Sequence, residues 1–444
     1  MRVMFIRPNL SDYRARDALE PLVFAVLKTL TPDHVDVVLF DDRIEPIPIN
    51  HPTDLVAMTV DTYSAKRAYQ IAAAYRRRGI PVVMGGHHPT LLQQEVARHA
   101  DTVVIGDADG LWEQILHDAE TRRLKPVYHQ NEMGSMARLR YDRSIYEDKK
   151  YSFVSPVQCG RGCRYACDFC SVHAFYGDTL QQRPVRDVVA EIEDLESRHV
   201  FLVDDNIFVN ENKARELFQA LIPLKIRWSA QVSIDVANND QLVKLMAKSG
   251  CFSVTIGFES LDARNLAQMK KKWNLRHGDY AVNIQKFRDN GILIYAAFIF
   301  GYDHDTPDSI PITVDFAVRS KFYLANFNPL MPLPGTALYD RLKKEGRLIM
   351  DPWWLHPDFR YGMAAFQPRG MTPEQLQDGC WWGRREFNRA TSVFKRALDL
   401  KTNCRNPYTL GIYLYSNWVS KKEIYHKQAM AFGRDESRPE RRAQ

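Results

Sequence analysis

Residues 151–177 read YSFVSPVQCGRGCRYACDFCSVHAFYG. A strand-like run passes without a break into a loop that holds four of the chain's seven cysteines, Cys159, Cys163, Cys167 and Cys170. Five more strand-like runs follow: HVFLVDD, IRWSAQVSID, FSVTIGFES, ILIYAAFIFG and LANFNPL. Between them lie the helical patterns PVRDVVAEIEDLESR, NKARELFQALI, NDQLVKLMAKSG, a pair over about 261–290, and SIPITVDFAVRS. Strand–helix units in this succession predict a partial (β/α)6 barrel of the TIM type over 151–336, with its chemistry at the carboxyl ends of the strands. The cysteine loop follows the first of those strands.

The same alternation appears on a smaller scale upstream. Residues 1–125 contain RVMFIRP, VDVVLFD, DLVAMTV, PVVMGG and DTVVIGD, separated by helical patterns such as SAKRAYQIAAAYRRRG. Continuous apolar strands between helices predict a parallel sheet covered on both faces, a doubly wound, Rossmann-like domain. Ligands in such sheets sit at the carboxyl ends of the strands. The candidates there are Asn9, Thr59, Asp61, Thr62, Gly85, Gly86, His87, Thr90, Gly106 and Asp107. Residues 126–150 are polar and aperiodic and are expected to link the two domains. From 337 to 432 the pattern becomes mainly helical and aromatic, with Trp353-Trp354 and Trp381-Trp382. Residues 433–444 are expected to be a disordered tail.

Composition narrows the classes. A chain of 444 residues, 45% hydrophobic and 26% charged, is a globular protein of more than one domain. Its formal charge of +6 is small for the length, and runs such as Arg76-Arg77-Arg78 and Lys270-Lys271-Lys272 are dispersed. They read as solvated helix faces, and no nucleic-acid partner is expected. No apolar run approaches the roughly 18 residues that cross a bilayer. The start MRVMFIRPNL enters a strand without a signal-peptide pattern, so the expected location is cytoplasmic. An odd, clustered set of cysteines in a reducing compartment points to metal or redox chemistry rather than to disulfides.

Cys163, Cys167 and Cys170 stand as C-x3-C-x2-C. A structural zinc site takes two separated ligand pairs, and these three thiols complete a tetrahedron only with Cys159 or a distant residue. A cubane iron–sulfur cluster takes one ligand per iron, and three cysteines leave one iron open. That arrangement has a purpose only if something else binds there.

CRYACDFC resembles the CxxxCxxC loop of the radical S-adenosylmethionine (SAM) superfamily, with an aromatic residue before the last cysteine. The resemblance implies a 4Fe–4S cluster on Cys163, Cys167 and Cys170 whose open iron is chelated by SAM, leaving Cys159 as a small buried side chain. It extends to FLVDDNIFV, SID, GFES and AAFIFG, which implies SAM contacts at Asp204, Asp205, Asn206, Ser233, Asp235, Glu259 and Gly301. PLPGTALY resembles the exit from the last barrel strand. The N-terminal domain, with GGHHPT and VVIGD, is similar to that of the cobalamin-binding radical SAM enzymes, so the resemblance covers roughly 1–430. No histidine has the DxHxxG context of a lower cobalt ligand, a motif that radical members commonly lack.

The family's usual reaction would have one SAM supply a methyl group through cobalamin and another supply a 5′-deoxyadenosyl radical. The resemblance therefore implies C-methylation of an unactivated carbon in a lipid, tetrapyrrole or specialised metabolite, with flavodoxin or ferredoxin as electron donor. A radical cyclisation, rearrangement or lipid modification without methyl transfer is the alternative. A zinc-binding regulatory protein is the remaining one. The aromatic C-terminal region, including Tyr361 and Phe366, is expected to cap the barrel or to form core. No residue pattern names a catalytic acid or base.

Overall fold

A computed structural model describes residues 1–15, 17–130, 136, 139–275 and 279–434. The chain forms two compact units: Met1–Ser152 with Met350–Tyr361 and the segment from Ala429, and Phe153–Ile349 with Gly362–Gln428.

The first unit is built on a six-stranded parallel sheet. Its strands are β1 (Arg2–Arg7), β2 (Asp36–Asp41), β3 (Leu55–Thr59), β4 (Val82–Gly85), β5 (Thr102–Ile105) and β6 (Val127–His129). Their spatial order is β2-β1-β3-β4-β5-β6. The sequence turns back on itself between β1 and β3, which makes their carboxyl ends the topological switch point. The inner strands are buried along almost their whole length, Val3–Ile6 and Leu55–Met58 for example, because a parallel sheet loses both faces to its crossovers. Phe5, Phe24 and Trp112 pack together at the centre of the core.

Strand β6 lies inside the stretch expected to be a linker. Its three residues pair with β5, so a short polar segment with little apolar content serves as an edge strand. The sheet backbone recruits it, since unpaired strand groups are costly even where side chains add little. Gly433 and Arg434, placed by sequence in the tail, are held by Leu10 and Gln70 of this unit. Residues 435–444 of that expected tail lie outside the described residues.

The second unit contains β7 (Ser155–Val157), the two-residue strands β8 (Gly160–Arg161) and β9 (Gln181–Gln182), then β10 (His199–Leu202), β11 (Arg227–Val232), β12 (Cys251–Glu259), β13 (Leu293–Phe300) and β14 (Leu324–Pro329). Six of these form a parallel sheet in sequential order, β7-β10-β11-β12-β13-β14, the layout of a partial barrel. Phe258, Phe298 and Phe327, from three neighbouring strands, stack in its core. The helices returning between strands begin on residues suited to satisfy their first amides: Asn210 and Asn239 each accept from the backbone N–H three residues on, and Asp262 and Asp279 from the one two residues on.

The C-terminal aromatics divide. Trp353 packs on Tyr63, Phe359 and Phe432 inside the first unit, and Trp354 donates its indole N–H to Glu95 there. These two are core of the N-terminal unit and not a cap for the barrel. Phe366 is buried in the barrel core, whereas Trp381 lies against Tyr425. The apolar count of the segment is the same in either arrangement, which is why pattern alone left cap and core both open for the tryptophans.

Candidate functional site

The cysteine loop leaves β7 and returns through an antiparallel clip, Gly160 opposite Gln182 and Arg161 opposite Gln181. Gly162 (φ 85°) lies so close that a Cβ there would come within 2.2 Å of the Thr179 carbonyl oxygen, so only glycine closes the clip. The ends of the barrel strands then hold the loop. Asp204, after β10, accepts the Cys159 N–H at 2.6 Å, and Asp205 accepts the Gly162 N–H at 3.3 Å. Asp235, after β11, accepts the Tyr165 hydroxyl at 2.8 Å, and Tyr165 stacks on Trp273 at 3.9 Å between ring centres. Asp168 accepts from Tyr302, next to Gly301, and pairs with Arg341. Phe169 packs into the barrel core.

The four thiols fall into two environments. Burial raises Cys163, Cys167 and Cys170, with Cys167 reaching about 12; neighbouring cysteines add to the shift of Cys163 and Cys167, and Asp205 to that of Cys163 and Cys170. Burial also raises Cys159, but the charges it feels are those of Asp204, Arg183 and Glu191, none of them from the other cysteines. Backbone amides act on two of the three: the N–H of Tyr165 pulls Cys163 down, and those of Val172 and His173 pull Cys170 down. Lys271 lowers all three.

Lys271 corrects the reading of its charge run. Lys270 and Lys272 are solvated, but the Lys271 side chain is only 12% exposed and its ammonium lies 2.8 Å from Oε1 of Glu259, itself 9% exposed. Burial alone would depress the lysine, and the Glu259 and Cys167 charges outweigh it, leaving its pKa raised. Glu259 ends β12 at φ 61°, past a register shift. A Cβ on Gly257 would fall 2.0 Å from that Oε1 and 2.8 Å from the lysine nitrogen, so GFE is the local sequence that makes room for the pair.

The remaining barrel candidates meet at the same carboxyl edge. Asn206 donates to Ser233 at 3.3 Å and accepts from the Phe208 amide, joining β10 to β11. The Gly301 amide donates to Asp305, whose carboxyl burial raises to about 6. Burial raises Asp204 to about 7.

In the first unit the candidates lie at the carboxyl ends of β1, β3, β4 and β5. Arg7 pairs with Asp61 at 2.7 Å, and Asp61 also accepts the Ser64 amide. Asn9 bonds its own turn through Tyr13. Thr90 accepts the Gly106 amide at 3.0 Å. Gly86 and His87 open the short helix His87–Leu91, with the Gly86 Cα beside Thr59, and Asp107 follows Gly106. Thr62 faces His88, which is fully buried among Tyr69, Glu95 and Trp354. Its ring nitrogens are engaged within the unit.

Two family profiles match the chain: the radical SAM superfamily over residues 157–317 and the B12 binding domain over 26–116. The chain belongs to the B12-binding-domain radical SAM enzymes. The bacteriochlorophyllide d C-12(1)-methyltransferase of Chlorobaculum tepidum is 29% identical over 389 residues, which are 85% of this chain and 84% of that one. The anaerobic magnesium-protoporphyrin IX monomethyl ester cyclase of Cereibacter sphaeroides is 25% identical over 93% of this chain and 74% of its own. The solved structure of the radical SAM methyltransferase TsrM from Kitasatospora setae, with cobalamin and a [4Fe-4S] cluster bound, shares the fold at 16% identity. Its TM-score is 0.62, over 78% of this chain and 75% of that one.

A radical SAM enzyme with a B12-binding domain uses a 4Fe–4S cluster, SAM and cobalamin, and the residues present fit them. Among the described residues no three His, Cys, Asp or Glu side chains are set to hold a single metal ion, and the cysteines of the loop lie close enough to feel one another's charge; a cubane takes one thiolate per iron. Around the loop, Asp235 Oδ1, Trp273 Nε1 and His173 Nδ1 are buried with no hydrogen-bond partner among the described residues, a condition that suits a polar ligand. In the B12-binding unit the glycines at the ends of β4 and β5 present bare backbone, and Gln130 Oε1, after β6, is likewise buried and unpartnered. Lys271, Trp273 and Gln130 were not singled out from sequence. Lys271 sits in a charge run and Gln130 in an apparent linker, and neither context signals burial.

Proposed function

We propose that this radical SAM enzyme is a cobalamin-dependent C-methyltransferase that modifies an unactivated carbon on the periphery of a tetrapyrrole-type small molecule. The observation that carries the reading is the presence in one chain of a three-thiol barrel loop, with the backbone of the fourth cysteine, Cys159, tied separately to Asp204, and a B12-type sheet with a glycine-lined carboxyl edge. The curated methyltransferase that covers 85% of the chain supports both the methyl transfer and the tetrapyrrole class. When bound, the cofactors supply the radical and the methyl group.

The chain's own part is to hold and orient. Cys163, Cys167 and Cys170 would hold the cluster, and SAM would bind at the iron they leave free. The Glu259–Lys271 pair and the free Oδ1 of Asp235 offer charge-assisted partners for that zwitterion. The apolar strand β13, with Gly301 directly after it, would exclude water from the adenine of bound SAM. Electron supply from flavodoxin or ferredoxin and a cytoplasmic setting follow from the same reading.

Anaerobic reconstitution with SAM, cobalamin, a reductant and a bacteriochlorophyllide-type macrocycle tests it. The expected products are a singly methylated macrocycle, S-adenosylhomocysteine and 5′-deoxyadenosine. 5′-Deoxyadenosine with an oxidised, unmethylated macrocycle would place the enzyme with the cyclase instead. Cobalamin-independent turnover would also refute the proposal.

A further inference from the structure

The 21-residue helix Pro407–Lys427 of the second unit is patterned inside out. Its inward face carries Thr409, Tyr413 and Asn417, spaced four apart and buried. Asn417 and the Tyr413 ring meet the guanidinium of Arg396, a side chain with no exposure at all, which also donates to the Phe322, Tyr323 and Phe387 carbonyls. The outward face carries Leu414, Tyr415, Trp418 and Tyr425, all exposed. A helix that only covers a core shows the reverse arrangement. The turn leading into the helix adds Leu398 and Leu400, the latter 81% exposed. Eight of the fourteen exposed large hydrophobic side chains among the described residues fall between Phe394 and Tyr425.

Charge gathers in the same place. Residues 388–428 hold eight Lys and Arg against two Asp and Glu; Arg396 among them is buried, and Arg389 and Lys401 pair with Glu386 and Asp289, which leaves Lys421 and Lys422 as the cations beside the exposed aromatics. Both acids are occupied, Asp399 by Arg288 and Glu423 by Lys427. Lys422 lies over the Trp418 ring at 3.9 Å, so cation and aromatic share one surface. Apolar and aromatic side chains flanked by lysines suit the boundary between lipid headgroups and acyl chains. Two copies of this face would set like charges against each other. No described helix is long and apolar enough to cross a membrane, and this one, about 30 Å long, would lie along it.

We propose that the outward face of Pro407–Lys427, with the turn at Leu398–Leu400, docks the enzyme on an anionic lipid bilayer. The aromatics enter the interface and the lysines meet acidic headgroups. This assignment does not rest on the substrate class.

Co-sedimentation of the full-length protein with phosphatidylcholine vesicles, with and without phosphatidylglycerol, tests it. Binding is expected only with the anionic lipid, and it should weaken as salt shortens the screening length. Lys421→Ala with Lys422→Ala should lower the partition coefficient about thirtyfold, each lysine near the surface being worth about fivefold. Trp418→Ser with Leu414→Ser should lower it further at equal charge, and both variants should cleave SAM as the parent does. Protein that stays in the supernatant with anionic vesicles at low salt overturns the proposal, as does binding that ignores both double variants. Sedimentation equilibrium showing a dimer that Trp418→Ser dissociates would also overturn it, assigning the face to a second copy.

Discussion

Replacing Lys271 by Met leaves the Glu259 carboxylate in place, 9% exposed and without its cation. Breaking a buried ion pair from one side costs about 3–5 kcal/mol, because the remaining charge is not resolvated. Both side chains are largely buried, and Gly257 backs the pair so closely that a Cβ there would fall 2.0 Å from Oε1 of Glu259. At about 2–4 °C per kcal/mol for a unit of this size, the barrel transition should fall by on the order of 10 °C. Glu259→Gln alone should cost less, because the carboxamide oxygen can still accept from the lysine ammonium. The double variant removes both charges and should recover much of the loss, with a coupling energy of about 2–3 kcal/mol. The assay is a double-mutant cycle by denaturant unfolding, repeated at low and high salt. The coupling should hardly change with salt, as screening acts weakly on buried pairs. A coupling below about 0.5 kcal/mol that vanishes in salt would show an ordinary surface pair and refute the burial argument. If the pair also serves SAM, the refolded double variant should still bind SAM poorly by isothermal titration.

Cys159→Ala should retain cluster iron and 5′-deoxyadenosine formation, losing only about 1 kcal/mol for the vacated core volume, whereas Cys167→Ala should lose both; iron analysis and visible absorption decide between them. Asp204 carries a folded pKa of about 7, raised by burial from an ordinary value of 3.8. It therefore contributes stability below the unfolded value that is lost as pH rises through the folded one, so unfolding midpoints should decline from about pH 4 to 7, and Asp204→Asn should flatten that slope. His88→Asn should lower the unfolding midpoint of the N-terminal unit without altering the visible spectrum of bound cobalamin; a spectral shift would mean that the imidazole reaches cobalt after all.

Much of this protein is legible in its sequence because the relevant physics is local. Strand periods, apolar runs and the C-x3-C-x2-C spacing each depend on a handful of neighbouring residues. The five sheet strands from Arg2 to Ile105 and the six barrel strands lie where those patterns predict, and the cysteine loop follows the first barrel strand as its position implied. Parallel strands buried on both faces must be written in continuous apolar letters. A glycine such as Gly162, where a carbonyl passes at contact distance, leaves an equally plain mark.

The exceptions all turn on which distant surface a segment meets. Burial of Lys271 depends on Glu259, twelve residues away and on another element, so three consecutive lysines look alike until the barrel closes. Val127–His129 become a strand only because β5 offers a free edge. Trp353 and Trp354 join the N-terminal core through Tyr63 and Glu95, partners more than 250 residues away. The helix Pro407–Lys427 carries Leu414 and Trp418 outward because Arg396 claims its polar side. Sequence by itself determined which elements form and which thiols share a spacing, since backbone periodicity and short loops are set by neighbours. Tertiary structure alone decided which charges are paired and which aromatics face out, since desolvation depends on the surface that arrives from elsewhere in the chain.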